Sequence, residues 1–210
     1  MPDLPDRETY ERAVTGAVLD VFARYSDRNR FDAERFGNDI AAAVVDPLRE
    51  IRQRAIIAML ILLSDDSQAD SIQRLLTRNG DRLAAGAESQ ASRLGRTMAD
   101  TSRDWLRDSE DFAGTLNDRV LSRSRAENVG ITETTTATSE AEGIGQDILA
   151  EIGIDASARW FTQLDERVCD LCGPLHGTTQ SRWPVGPPPA HPRCRCYLVY
   201  SVTRMPAGAR

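Results

Sequence analysis

Asp46-Pro47-Leu48-Arg49-Glu50-Ile51-Arg52-Gln53-Arg54-Ala55-Ile56-Ile57-Ala58-Met59-Leu60-Ile61-Leu62-Leu63 carries its apolar stripe at 48, 51, 55, 56, 59, 60 and 63. Steps of three and four place those side chains on one side of a helix, where a strand would need alternation. Asp46 followed by proline reads as an N-cap with Pro47 at the first helical position, so a helix is expected to open there. It is the most hydrophobic helix of the chain, and a stripe this apolar needs other helices to cover it.

Upstream, Tyr10, Val14, Ala17, Val18, Val21 and Tyr25 keep a helical period behind Asp6, which is read as an N-cap, and a further helix is expected after Asp32. Downstream, Ser64-Asp65-Asp66-Ser67 reads as a break. Residues 69–108 predict long helices interrupted near Gly80, Gly86 and Gly95. A helix over Asp111 to Glu127 would turn Phe112, Leu116, Val120 and Leu121 to one side. The β-branched run Ile131-Thr132-Glu133-Thr134-Thr135-Thr136-Ala137 leads into Ile144, Ile148 and Ile152 at helical spacing, so the whole is read as helix, ended by Gly153 as its C′ residue.

Beyond a boundary near residue 153 the composition changes. Ala158 to Leu164 and Cys196 to Val202 read as strands, Trp183 to Pro189 reads as a loop, and the tail from Thr203 to Arg210 is expected to fray. The fold class expected is therefore mainly α: a helical N-terminal region followed by a small α+β C-terminal module.

The 210 residues carry a net charge of −6, and all 26 basic residues are arginine, as a GC-rich genome would produce. Residues 1–150 hold 19 Arg against 27 acidic residues and 151–210 hold 7 against 5, so neither part advertises the clustered basic face that duplex DNA binding requires. The longest apolar stretch, Ala55 to Leu63, is too short to span a bilayer, and the chain is read as soluble. No secretory signal is recognisable at Met1 to Arg7, so reduced cysteines are expected and metal outranks disulfide.

All four cysteines and one of the two histidines fall into Cys169-Asp170-Leu171-Cys172 and, after a gap of eighteen residues, His191-Pro192-Arg193-Cys194-Arg195-Cys196. Paired turns of this kind suit the tetrahedral N/S coordination of zinc, which would order a segment too polar to build its own core. Five donors, Cys169, Cys172, His191, Cys194 and Cys196, compete for four positions. The preferred set is Cys169, Cys172, His191 and Cys194, with Cys196 and His191 the two candidates for omission. The blander readings are buried reduced thiols or two disulfides. A catalytic zinc would need an open position and a general acid or base, and the His-x-Glu with Pro-Cys-x-x-Cys order of zinc deaminases is missing. A cysteine nucleophile lacks a recognisable orienting group, the His-Asn-His endonuclease core is absent, and His176 is read as lying in a turn away from metal.

The compound pattern Trp160-x-Thr162-x2-Asp165-x-Arg167-x-Cys169-x2-Cys172, with His191-Pro192-x-Cys194-Arg195-Cys196, resembles the C-terminal signature of the phage Mu F-like minor head proteins, also called phage head morphogenesis proteins. Thr132-Glu133 is similar to that family's Thr-Glu pair, with Ile131 where an arginine usually precedes it. The resemblance covers roughly residues 120 to 200. The chain is accordingly read as a helical docking and assembly region at 1–120, a Mu F-like module at 121–202 and a flexible tail at 203–210. The resemblance also implies a virion protein of a tailed phage or prophage, inside the capsid and in the host cytoplasm during assembly. Its expected partners are portal and capsid proteins, and its expected role is head assembly with genome packaging or delivery. Some relatives carry a fused protease, portal segment or toxin, and this chain looks like the stand-alone form, with no enzymatic role expected. Family members are thought to contact DNA. The residues that would do so here are Arg159, Arg182, Arg193 and Arg195, although Arg167 and Arg195 are read first as ion-pair partners of Asp165 or Glu166. The rival readings are a zinc-stabilised DNA-binding module, and a metal- or cysteine-dependent enzyme using Cys169 or Glu133 during phage entry.

Overall fold

The computed structural model describes residues 6–26, 30–64, 68–165, 168–184 and 186–205. The helices are α1 (Arg7–Ala23), α2 (Ala33–Leu63), α3 (Ala69–Arg78), α4 (Gly80–Arg107), the short α5 (Phe112–Thr115) and α6 (Arg123–Glu151). Strands β1 (Asp155–Phe161) and β2 (Tyr197–Arg204) form a two-stranded antiparallel sheet, with Trp160 opposite Leu198 and Ala158 opposite Tyr200.

Helix α2 is the spine, packed against α1, α4 and α6. It buries Phe36, Ile40, Val44, Leu48, Ile51, Ala55, Ile56, Met59 and Leu60, the stripe its sequence announces. At about 1.5–3 kcal/mol for each large apolar side chain removed from water, this stripe dominates the core. One apolar cluster continues from Val14 of α1 through α6 to Leu198 and Tyr200 of β2. A two-stranded sheet is marginal by itself. Here its inner residues rest on that core, and the Gln146 side chain of α6 donates to the Ala156 carbonyl at 2.6 Å.

Asp32 caps α2 as expected, accepting from the Arg35 amide at 3.0 Å. Asp6 precedes α1 with φ 59° and makes no side-chain cap. The helix start expected at Asp46-Pro47 does not exist, because α2 runs through Pro47. Proline cannot donate to the Ala43 carbonyl. The apolar residues on both sides of it, Val44 and Leu48, are fully buried, and that burial keeps the two halves in one helix.

Glycine behaves the same way in α4, where only the break at Asn79-Gly80 occurs. Gly86 and Gly95 lie inside the helix because something must approach there. A Cβ on Gly86 would sit 2.6 Å from the Arg52 guanidinium, and one on Gly95 would sit 2.4 Å from the Gly37 carbonyl of α2. The helix expected over Asp111 to Glu127 is divided. Helix α5 gives way to a wider π-helical turn at Leu116–Val120, and α6 starts afresh after Ser122, whose hydroxyl accepts from the Arg125 amide at 3.3 Å. Arg125 then donates to the carbonyls of Val120 and Met98 and to Ser102, with its guanidinium 4.7 Å from the Trp105 ring, binding this turn to α4.

Helix α6 ends at Gly153, φ 80°, whose amide reaches the Ala150 carbonyl at 3.0 Å. The strands are shifted from expectation. β1 begins three residues early and stops before Thr162, and Thr203 and Arg204, read as the start of a fraying tail, belong to β2, where Arg204 pairs with Asp155 at 2.8 Å. Residues 206–210 of that tail and the break at 65–67 lie outside the described residues.

Candidate metal centre

Cys169-Asp170-Leu171-Cys172 forms a tight turn in which the Cys169 carbonyl accepts from the amides of Cys172 and Gly173, at 3.1 and 2.9 Å. The chain then returns under β1, where Trp160 exchanges backbone bonds with Gly177 and Thr178. His191 to Cys194 make the second turn, closed by Cys194 N–H to the His191 carbonyl at 3.2 Å. Both turns meet over fully buried Trp160, with Cys172, Leu175, Cys194 and Cys196 in one small cluster.

The five expected donors all arrive there, in two overlapping groups: Cys169, Cys172 and His191, and Cys172, Cys194 and Cys196. His191 Nε2 lies 3.1 Å from the sulfurs of both Cys169 and Cys172, and Cys172 Sγ lies 3.8 Å from Cys194 Sγ. With Zn–S bonds near 2.3 Å, the edge between two sulfurs of a tetrahedron is about 3.8 Å, so the spacing fits a zinc-sized ion. The cysteines form no disulfide. Hydrogen bonding from Cys196 holds the Cys194 thiol down to about 5 against its burial, while burial pushes Cys172 up to about 12. A small cavity beside the cluster, lined by Thr162, Asp165 and His191 among others, measures about 20 Å³, enough for one water or ion, and a wider one of about 490 Å³ opens around His191, Arg193 and Ile131.

The family model of the Phage Mu protein F like protein matches residues 107–199, from the last residue of α4 to β2. That segment is similar to the Mu F-like family. The match encloses α6 and both metal turns, and it bears out the resemblance drawn from the sequence. The family is one of structural head-morphogenesis proteins, which implies other phage head proteins as partners and suggests a virion location. No curated protein and no solved structure matches the chain. No helix among the described residues is long and apolar enough to cross a membrane.

The remaining expected residues separate. His176 accepts or shares hydrogen bonds with Thr162 at 3.0 Å, away from the other donors. Arg195 pairs with Asp165, whereas Arg167 and Glu166 lie outside the described residues. Arg159, on β1, donates to the Gly177 carbonyl at 3.0 Å, and Arg182 is exposed in a separate short turn. Arg193 and Arg195 line a cleft of about 580 Å³ with Arg7, Glu11 and Ile131, between α1, α6 and the second turn.

Glu133 does not reach the metal donors. It accepts from Gln90 Nε2 at 2.8 Å, within a network in which Arg52, 1% exposed, donates to Gln90 and Glu140. Burial raises the Glu133 carboxyl above its ordinary range, with the bond from Gln90 opposing. Because the folded chain then holds that proton more tightly than the unfolded chain, Glu133 favours folding below the ordinary carboxyl pKa and loses that contribution as pH rises through the folded value. Glu133→Gln removes this loss and keeps an acceptor for Gln90. The variant's urea midpoint is expected to gain on the wild type between about pH 4 and pH 7. A constant difference between the two across that window would refute the assignment.

Proposed function

We propose that this chain is a minor capsid protein of a tailed phage or prophage, associated with the portal inside the head and acting in head assembly and in genome packaging or delivery. Residues 121–202 are its Mu F-like module, a structural zinc ion joins the two cysteine turns of that module, and no catalysis is required of it. The observation that carries this reading is the donor cluster inside the family match: Cys172, Cys194 and Cys196 are all buried, and the small cavity lined by Cys169, Cys172, His191 and Cys196, about 20 Å³, has room for an ion. A zinc ion supplies cross-linking there. The chain's own residues hold the two turns in register over Trp160.

The N-terminal helices support a docking role. Ile57, Ile61 and Leu62 are exposed at the end of α2, and Ile61 is 74% exposed beside an apolar groove that α3 completes with Ile72 and Leu76. Apolar exposure of this kind suits contact with other head proteins. Direct DNA contact is the weaker reading, because Arg159 and Arg195 are engaged within the fold.

Two measurements on the same material test the proposal. Protein purified under reducing conditions is expected to hold one zinc per chain, and chelation should make residues past Gly153 protease-sensitive while α2 and α4 stay protected. Fractionated phage particles should carry the chain in purified heads, cross-linked to the portal. A chain absent from heads overturns the virion reading, and a metal-free chain whose C-terminal module stays folded overturns the zinc reading.

A further inference from the structure

Three consecutive residues of the second metal turn have a backbone group held by a side chain from the helical bundle. The Arg193 amide donates to Thr132 Oγ1 at 2.9 Å. The Cys194 carbonyl accepts from Thr135 Oγ1 at 2.7 Å, and the Arg195 carbonyl accepts from Arg7 Nη1 at 3.4 Å. Arg7 also donates through Nη2 to Thr135 Oγ1, so the grips on Cys194 and Arg195 are connected. Thr132 and Thr135 are three apart on α6 and share a face, and Arg7 opens α1.

The turn needs such support. Arg193 has φ 63°, in the left-handed region that a residue with a Cβ adopts at a cost, and it lies directly before the donor Cys194 and two residues after the donor His191. Relaxation of Arg193 to an ordinary φ would swing the Cys194 sulfur away from Cys172. The turn closes one backbone bond of its own, Cys194 N–H to the His191 carbonyl, and the bundle supplies partners for the Arg193 amide and for the carbonyls of Cys194 and Arg195.

We infer that Thr132, Thr135 and Arg7 are positioning residues of the metal centre, gripping the Arg193–Arg195 backbone so that His191 and Cys194 are presented to the ion. This rests on the zinc reading above. It gives the threonine-rich run of α6 a task distinct from that of Glu133, which faces α4, and by linkage it makes zinc binding and the seating of α1 on the turn mutually reinforcing.

The test is competition for zinc against a chromophoric chelator with the full-length reduced protein. The double variant Thr132→Val, Thr135→Val is expected to bind zinc about tenfold more weakly, in line with loss of the partners that orient metal ligands. The Thr132→Ser, Thr135→Ser variant, which keeps both hydroxyls, should restore affinity. Thr136→Val, which removes only a bond to the Thr132 carbonyl within α6, should leave it unchanged. Thr132→Val alone, at a half-buried position, covers the case in which the double variant fails to fold. An affinity for zinc equal to that of the wild type in the valine variants would overturn the inference and leave the zinc reading standing. A wild-type chain that binds no zinc would overturn the zinc reading and the inference with it.

Discussion

Cys172→Ser is expected to abolish tight zinc binding, whereas Cys196→Ser should leave one zinc per chain. Among the described residues, Cys172 alone belongs to both donor groups, 3.1 Å from His191 and 3.8 Å from Cys194. Any four-ligand set that bridges the two turns passes through it. Serine keeps the shape but replaces a soft thiolate with a hydroxyl that stays protonated at neutral pH, so the loss should exceed the roughly hundredfold ceiling for removing an outer partner. Metal affinity in such modules is also folding free energy. The Cys172→Ser chain should therefore show residues 155–205 cleaved by protease with the helical signal of α1 to α4 retained. Cys196 lies at the start of β2 against Trp160 and is the surplus donor in the proposed set. Metal analysis showing zinc retained in Cys172→Ser, or lost in Cys196→Ser, would reverse the ligand assignment.

Gly95→Ala should be among the most damaging single substitutions in the helical region. At the crossing of α2 and α4 the two backbones touch: a Cβ on Gly95 would meet the Gly37 carbonyl at 2.4 Å, and one on Gly37 would meet the Gly95 carbonyl at 2.5 Å. Neither carbonyl can rotate away, since each belongs to a helix, so the helices must separate and loosen the packing around Ile40 and Leu94. Alanine improves helix propensity by about 1 kcal/mol over glycine. Overpacking at a backbone contact costs about 1–3 kcal/mol and sometimes more, and here it should prevail. A net loss of about 2 kcal/mol corresponds to a fall of roughly 4–8 °C in Tm for a chain of this size. Gly143→Ala is the control, because nothing lies within 4 Å of its added Cβ, and it should raise Tm slightly. Equal Tm shifts for Gly95→Ala and Gly143→Ala would refute the close-contact argument.

Much of the architecture was legible in single residues. Asp32 and Gly153 cap helices because a short acceptor and a residue tolerant of φ 80° have few other uses beside an apolar period. The five candidate donors were legible because cysteine and histidine are scarce in this chain and their spacing matches paired turns. Pro47, Gly86 and Gly95 misled for a common reason. Local propensity treats proline and glycine as breaks, but burial on both sides of Pro47 and the close approaches at Gly86 and Gly95 outweigh it. Thr132 and Thr135 were visible only as a β-branched run, whose i, i+3 spacing hinted at a shared face without saying what that face would meet.

Sequence by itself determined that the chain is mainly helical, that its last third carries a metal-type donor cluster, and that this part resembles the Mu F-like head proteins, since periodicity, scarce residue types and motif spacing are local properties. Tertiary structure decided that the five donors gather in two overlapping groups, that Glu133 faces Arg52 and Gln90 instead of the cysteine turns, and that Arg7, more than a hundred residues upstream, reaches Thr135 and the Arg195 carbonyl. Contacts of that kind depend on how α1 and α6 pack, and packing is set by the summed burial of many side chains that no local pattern encodes.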